Sequence, residues 1–266
     1  MTKRTLGILA CCGLVSTPAI AGVLMEMETV DGSGNASEQT TFRAQAGKIR
    51  MDDVESTGEP GMSTIFLGDE FIVLDHKKKK YFVIDQAMLD EVGTKMDAAM
   101  KQMHEQLASL PPEQRAMAER MMKGRMGVLP DDEPEPELRV EKIGSGKWQS
   151  ETCAQYAVYK GAEKQQEVCA AALDDIEGAE EAMRAFQSMA EYIRKMTESL
   201  PMRTATGPNP GELIEKIGGF PVITTNYQMG NRATTTTLKA ADEQSLDDGI
   251  FAVPDDYQRE DLMRGH

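Results

Sequence analysis

The feature that most constrains the fold is a series of short strand-like segments across residues 22–85. The segments are rich in β-branched and aromatic residues, and turn-forming clusters such as Asp31–Asn35 separate them. Short connections of this kind pair neighbouring strands antiparallel, so the sequence predicts a β-meander. The predicted strands are 23–30, 37–46, 48–54, 62–67, 71–75 and 81–85.

The apolar spacing changes from strand-like to helical at residue 86. Residues 86–129 predict an inserted, Met-rich helical hairpin that breaks at Pro111-Pro112. Residues 130–137 are an acidic, Pro-rich connector with no means of building a core. Residues 174–200 predict a further helix. Its expected packing face is Ile176, Ala179, Met183, Phe186, Ala190, Ile193, Thr197 and Leu200.

Strand character returns in residues 138–172 and again in a hairpin near the C-terminus, at 221–229 and 232–240. Gly144-Ser-Gly-Lys147 lacks the full phosphate-loop pattern and predicts a turn between strands. Strands in sequence, then helices, then strands again indicate an α+β fold. We expect a curved antiparallel sheet with helices packed on one face.

The N-terminus has the three parts of a cleavable secretory signal peptide. Lys3 and Arg4 are basic, residues 5–15 are apolar, and Ala19-Ile20-Ala21 is an A-x-A cleavage site. The sequence therefore predicts a signal peptide at 1–21, export to the bacterial periplasm and a single domain over 22–266. A poor lipobox that ends at Cys11 leaves a lipoprotein as the alternative.

The charge balance limits the partners. The formal charge of −15 becomes −17 without residues 1–21, because that segment holds two basic residues and no acid. This charge repels phosphate backbones, so nucleic acid is not an expected partner. No later apolar run is long enough to predict a transmembrane segment.

Cleavage of the signal peptide leaves two cysteines, Cys153 and Cys169. Gly161 lies midway between them, and a hairpin that turns there places the two residues directly opposite each other. The Cα atoms of directly opposed residues can lie about 4.5 Å apart, a separation that suits a disulfide. An exported protein also meets an oxidising compartment. The sequence therefore predicts a structural disulfide. It should stabilise the fold by about 3 kcal/mol.

Three segments together resemble exported bacterial proteins with the LolA/LolB-like lipoprotein-carrier fold, among them an uncharacterised domain family. They are residues 65–85, the insertion around Leu110–Met117, and Phe251–Tyr257. The resemblance implies a half-barrel of antiparallel strands wrapped on helices, with an apolar cavity between them. It implies no activity. The long insertion departs from the lipoprotein carrier, so no acyl-binding residue is carried over.

Alternation along the strands suggests which side chains face such a cavity. The expected apolar lining joins strand residues to two methionines of the insertion, although the opposite sheet face is nearly as good a choice. The predicted residues are Ile65, Leu67, Phe71, Val73, Phe82, Ile84, Met96 and Met103.

No catalytic constellation follows from the sequence. The three histidines, His76, His104 and His266, are isolated, and neither HExxH nor G-x-S-x-G occurs. We therefore expect a non-enzymatic periplasmic binding or carrier protein without a cofactor. Its ligand would be apolar: a lipid, an acyl chain or the hydrophobic segment of an envelope protein. One alternative is a copper site, because thioethers are soft ligands for Cu(I). That site would use Met96, Met100, Met103 and His104. The other alternative is an envelope protein–protein interaction module.

Overall fold

A computed structural model describes residues 22–54, 58, 60–111, 114–115, 137–198, 210–228 and 231–261. The predicted signal peptide, most of the second half of the helical hairpin and nearly all of the acidic connector lie outside these residues. The described part contains twelve strands and three α-helices. The strands are β1 Gly22–Asp31, β2 Ala36–Gln45, β3 Lys48–Val54, β4 Pro60–Phe66, β5 Phe71–Asp75, β6 Lys80–Ile84, β7 Leu138–Trp148, β8 Glu151–Lys160, β9 Glu163–Ala171, β10 Phe220–Gln228, β11 Asn231–Gln244 and β12 Gln258–Arg259. The helices are α1 Gln86–Ala108, α2 Ala179–Glu198 and α3 Pro210–Ile217.

All twelve strands belong to one sheet, in the order β12-β6-β5-β4-β3-β2-β1-β11-β10-β9-β8-β7. Every neighbouring pair is antiparallel except β12 with β6. Strands β1 to β6 form the predicted meander. The C-terminal hairpin, β10 and β11, joins that meander to β7–β9, because β11 pairs with β1 and β10 pairs with β9.

Helix α2 packs against one face of this sheet, which we call the concave face. Its Phe186 ring contacts both Phe42 of β2 and Phe220 of β10, at centroid distances of 4.5 and 6.3 Å. Strands β1 and β11 lie between those two strands, and a flat sheet would hold them about 14 Å apart. The sheet therefore curves around α2. Closer to the C-terminal end of α2, Tyr192 contacts Phe66 and Phe71.

The opposite, convex face is covered at β3–β6 by residues 245–261, which we call the C-terminal strap. Ile65, Ile72 and Leu74 are buried there with Phe251, and the half-buried Tyr257 packs against the same cluster. Residue 258 starts β12, which pairs with the edge of β6. Both faces of the meander are thus covered by the chain itself.

The α+β class, the antiparallel sheet and the Cys153–Cys169 disulfide are confirmed. Three details of the predictions are wrong. The helix predicted from residue 174 begins only at Ala179, because a 3₁₀ turn, Leu173–Asp175, and Gly178 at φ +68° precede it. Residues Gly144–Lys147 lie inside β7 rather than in a turn. The two cysteines are diagonal rather than opposed, because the hairpin turns through two residues, Gly161 and Ala162, and a bulge at Val158/Tyr159 shifts the register by one more residue. Cys169 therefore pairs with Gln155. The Cα atoms of the two cysteines are still only 5.4 Å apart.

Helix α3 was not predicted from the sequence, although its signals are present. Pro210 is its first residue, the apolar Leu213, Ile214 and Ile217 follow at helical spacing, and Gly218 ends it with φ +63°. Within the described part of the chain, no helix has both the length and the apolar character of a membrane span.

Candidate functional site

A cleft of about 740 Å³ opens between α2, α3 and the 3₁₀ turn Leu173–Asp175. That volume lies within the range of sites for small organic ligands. Apolar and charged side chains both line it, together with two glycines. The apolar residues are Leu173, Met183, Ala190 and Ile214, the polar residues are Gln187, Glu191, Arg194, Glu212 and Glu215, and the glycines are Gly218 and Gly219.

The two helices present their apolar sides to the cleft because of residue spacing. Met183 and Ala190 lie seven residues apart on α2, two helical turns, and both are buried. On α3, Ile214 faces the main core while Leu213 and Ile217 pack against β7–β9. The expected packing face therefore supplies core contacts of α2 and, through Met183 and Ala190, part of the cleft's apolar lining.

The charges at the cleft are partly neutralised within each helix. Glu191 pairs with Lys195 at 2.9 Å, and Glu212 pairs with Lys216 at 3.6 Å. The hydrogen bond and charge of Lys195 hold the pKa of Glu191 below its ordinary value. These pairs are exposed, so they contribute little to stability. The Glu191–Lys195 pair favours the ionised form of the Glu191 carboxylate.

A second cavity of about 360 Å³, the side cavity, shares two lining residues, Gly218 and Gly219, with the cleft. It lies between β7–β9 and the end of α3. Small, hydroxyl-bearing and apolar side chains line it, together with one lysine. They are Lys142, Ser145, Thr152, Cys153, Ala154, Tyr156, Ala170, Ala171, Ala172 and Ile217.

The residues expected to line an apolar cavity lie on both faces of the sheet. Phe71 and Ile84 belong to the core on the concave side, and the register places Val73 and Phe82 on the same face as Phe71 and Ile84. Ile65 and Leu67 lie instead against the C-terminal strap. None of the six borders the cleft or the side cavity.

The methionines of the predicted copper site lie on α1. Met96, Met100 and Met103 are half-buried and follow one another on one side of the helix. The His104 side chain lies outside the described structure, so the copper site stays a prediction. Among the described residues, no group of three His, Cys, Asp or Glu side chains is arranged to hold a metal ion.

The structure does bring one histidine to a serine and an aspartate. His76 Nε2 lies 2.5 Å from Ser63 Oγ, which also hydrogen-bonds to Asp52. This is not a catalytic triad, because the acid contacts the serine rather than the imidazole and Ser63 is only 1% exposed. The cluster anchors the strap: His76 Nδ1 lies 2.6 Å from the Tyr257 hydroxyl, and Arg50 donates to the Ile250 carbonyl at 2.7 Å.

Burial, with the nearby Arg50 guanidinium, lowers the pKa of His76 below its ordinary value. The neutral imidazole therefore prevails near neutral pH. With the proton on Nε2, His76 donates to Ser63 Oγ and accepts from the Tyr257 hydroxyl. This cluster belongs to the packing of the strap, and it was not predicted because Ser63, His76 and Tyr257 come from distant parts of the chain.

No family model and no curated protein matches this chain. Solved structures resemble it weakly. An uncharacterized conserved protein from Thermus thermophilus aligns over 91% of this chain and 91% of its own, with 8% identity and a TM-score of 0.44. A crystal form of PNGF-II aligns over 91% of this chain but only 31% of its own, with 8% identity and a TM-score of 0.40. A LolA superfamily protein from Nitrosomonas europaea aligns over 89% and 91%, with 6% identity and a TM-score of 0.29. These scores leave the resemblance to the lipoprotein-carrier fold suggestive.

Proposed function

We propose that this protein is a non-enzymatic, exported binding or carrier protein for an apolar ligand, built on a half-barrel of the lipoprotein-carrier type. The observation that carries the proposal is the cleft between α2 and α3, with its floor of Leu173, Met183, Ala190 and Ile214. The Cys153–Cys169 disulfide is consistent with an oxidising compartment such as the periplasm.

Binding would work by burial of apolar surface. Each ligand methylene that leaves water for such a floor contributes about 0.8 kcal/mol. Met183 suits this role because an unbranched thioether can repack around ligands of different shape. The ion-paired carboxylates at the entrance keep the outer part of the cleft hydrated, so an apolar ligand gains most at the floor.

Two experiments test the proposal. Native mass spectrometry of the protein purified from its own periplasm, followed by organic extraction, should reveal a co-purifying apolar molecule. In parallel, the purified protein is titrated with N-phenyl-1-naphthylamine, a fluorescent apolar probe. We expect saturable binding of one probe molecule to each chain.

A matched pair of variants locates the binding. Gln187 and Ser188 are both exposed on α2, but only Gln187 lines the cleft. Gln187→Trp should fill part of the cleft and raise the Kd of the probe about threefold or more, a loss of roughly 0.7 kcal/mol. Ser188→Trp should leave the Kd unchanged. An absence of probe binding, or equal effects of the two variants, would refute the proposal.

A further inference from the structure

The C-terminal strap is held more firmly at one end than at the other. Its proximal part, residues 245–253, buries Phe251 in the apolar cluster formed by β4 and β5. In its distal part, residues 254–261, Tyr257 is half-buried and every other residue is exposed. Because segments with little buried apolar surface open at low cost in free energy, the distal part can detach while the proximal part stays in place.

Besides the tyrosine, backbone hydrogen bonds and exposed ion pairs hold the distal part. The Gln258 N–H donates to the Lys79 carbonyl at 3.0 Å, in the hairpin before β6. The Glu260 N–H donates to the Tyr81 carbonyl of β6 at 2.7 Å. Carboxylates of the distal part also pair with Lys79 and Lys80, but these ion pairs are exposed and contribute little to stability. The contacts of the half-buried tyrosine are therefore important for keeping the distal part attached.

His76 links this tyrosine to the core of the sheet. Its Nδ1 lies 2.6 Å from the Tyr257 hydroxyl, and the two rings meet edge to face with their centroids 5.8 Å apart. On the other side of the imidazole, Nε2 lies 2.5 Å from the Oγ of the buried Ser63. In the neutral imidazole with its proton on Nε2, Nδ1 accepts from the Tyr257 hydroxyl. A second proton would occupy Nδ1 and remove that acceptor.

Charged groups from β3 and from the end of β5 face the imidazole. They are Arg50 and Asp52 of β3, and Asp75, which directly precedes His76. Both carboxylates already have cationic partners: Asp52 pairs with Arg50 at 2.7 Å and with a second arginine on β2, and Asp75 pairs with a neighbouring lysine at 2.9 Å. From the strap, the Tyr257 hydroxyl is the titratable group in contact with the ring. A positive charge on His76 would therefore lie beside Arg50, next to carboxylates that are already neutralised.

Burial and the Arg50 charge together lower the pKa of His76 while the strap is closed. Because detachment returns the imidazole to water, its pKa rises towards the ordinary value of about 6.5 in the open state. The contribution of the neutral imidazole to closure is therefore fully present above about pH 6.5, and it is lost as the pH falls through the lower pKa of the closed state. Carboxylates have ordinary pKa values of about 4, so those of the strap stay ionised down to about pH 5.5.

We propose that His76 and Tyr257 form a proton-sensitive latch, which holds the distal strap on the outer edge of β6 at neutral pH and releases it in mildly acidic solution. Release removes β12 from the end of the sheet and leaves the edge of β6 unpaired. That edge carries the aromatic and β-branched run Tyr81–Ile84, and an unpaired edge of this kind can pair with another strand. The latch shares no residue with the cleft, so this inference does not depend on the proposed function.

The test is amide hydrogen exchange of the purified protein between about pH 7.5 and pH 5.5, the range in which an ordinary histidine titrates. Rates are converted to protection factors, which removes the intrinsic pH dependence of exchange. The amides of Gln258 and Glu260 report on the distal part. We expect their protection to fall about threefold or more at the lower pH. The Leu246 amide, which donates to Gln45 Oε1 in the proximal part, should change by less than about twofold.

Two variants separate the parts of the latch. His76→Gln keeps a donor and an acceptor but cannot take up a proton, so protection of the distal amides should become independent of pH in this range. His104→Gln makes the same substitution on α1 and is the control, which should respond to pH like the unchanged protein. Tyr257→Phe keeps the ring and removes only the hydroxyl. It should lower protection of the distal amides about three- to tenfold even at neutral pH.

Three outcomes would overturn the latch. The first is distal protection that does not change with pH in the unchanged protein. The second is the same pH response in His76→Gln as in His104→Gln. The third is loss of protection at Leu246 together with the distal amides, because the strap would then open as a whole rather than at its distal part.

Discussion

Removal of the Cys153–Cys169 disulfide should lower the free energy of unfolding by about 3 kcal/mol, because the cross-link restricts the unfolded chain. The two cysteines are 16 residues apart in sequence. For a closed loop of that length, the chain-entropy relation gives about 3 kcal/mol at 25 °C. In a chain of this size, the loss corresponds to a drop in Tm of roughly 6–12 °C.

The comparison is best made between oxidised and reduced protein, because no side-chain volume is then lost. Both cysteines are buried, so the bond is reduced in urea and the protein is refolded under reducing conditions. Urea unfolding is followed by far-UV circular dichroism and by fluorescence of Trp148, the one tryptophan in the chain, which packs in the same core cluster as the disulfide. Reductant should have no effect on a Cys153→Ala/Cys169→Ala variant, which is the control.

A difference of less than about 1 kcal/mol between the two forms would refute the chain-entropy reasoning, because it would mean that the unfolded chain already keeps the two cysteines close. A large difference with an unchanged Trp148 signal in the reduced native state would support the reasoning most directly. It would show that the native packing is kept and that the effect arises in the unfolded state.

Three further predictions concern packing and protonation. Gly146→Ala should lower the free energy of unfolding by about 1–3 kcal/mol in the oxidised protein, because the new Cβ would lie 3.0 Å from Cys169 Sγ. The loss should be smaller in the cysteine-free variant. Equal losses in the two proteins, measured by urea unfolding, would contradict this prediction. Phe186→Ala should cost about 3–5 kcal/mol, since the ring stacks on Phe42, whereas Ser188→Ala on the exposed side should cost under about 0.5 kcal/mol. The lowered pKa of His76 means that the unfolded chain binds more protons than the native one, so its contribution is fully present above the unfolded pKa of about 6.5 and is lost as pH falls through the lower native value. His76→Gln should therefore flatten the decline of the urea midpoint on acidification, and an unchanged slope would exclude this contribution.

Local sequence patterns predicted those helices and strands whose own residues determine the secondary structure. Strand alternation and turn residues are set within a few positions, so the meander could be predicted from composition and spacing. The apolar spacing of residues 174–200 likewise predicted α2 and the described part of its packing face, although the helix begins at Ala179 rather than at residue 174. The Thr197 side chain and Leu200 lie outside the described structure. Helix α3 was missed although Pro210 and Gly218 mark its ends.

The site was harder to predict because it depends on contacts between distant segments. Strand alternation predicts that Ile65 and Phe71 can be buried. Both faces of the meander are covered, however, one by α2 and the other by the strap. Alternation therefore could not distinguish residues that line a cavity from residues that are buried in the core on either face. The cleft instead lies between α2 and α3, two helices distant in sequence from the meander, beside the two glycines that follow α3.

The sequence by itself determined the α+β class, the antiparallel meander, the packing face of α2 and the pairing of Cys153 with Cys169. Each of these follows from residue periodicity or from a short hairpin, and such interactions are local. Only the tertiary structure decided the strand order, the diagonal register of the cysteines, the contact of His76 with Ser63, and the cleft between α2 and α3. Those features depend on bulges that shift a register by one residue and on segments that pack across the sheet, and single-chain periodicity encodes neither.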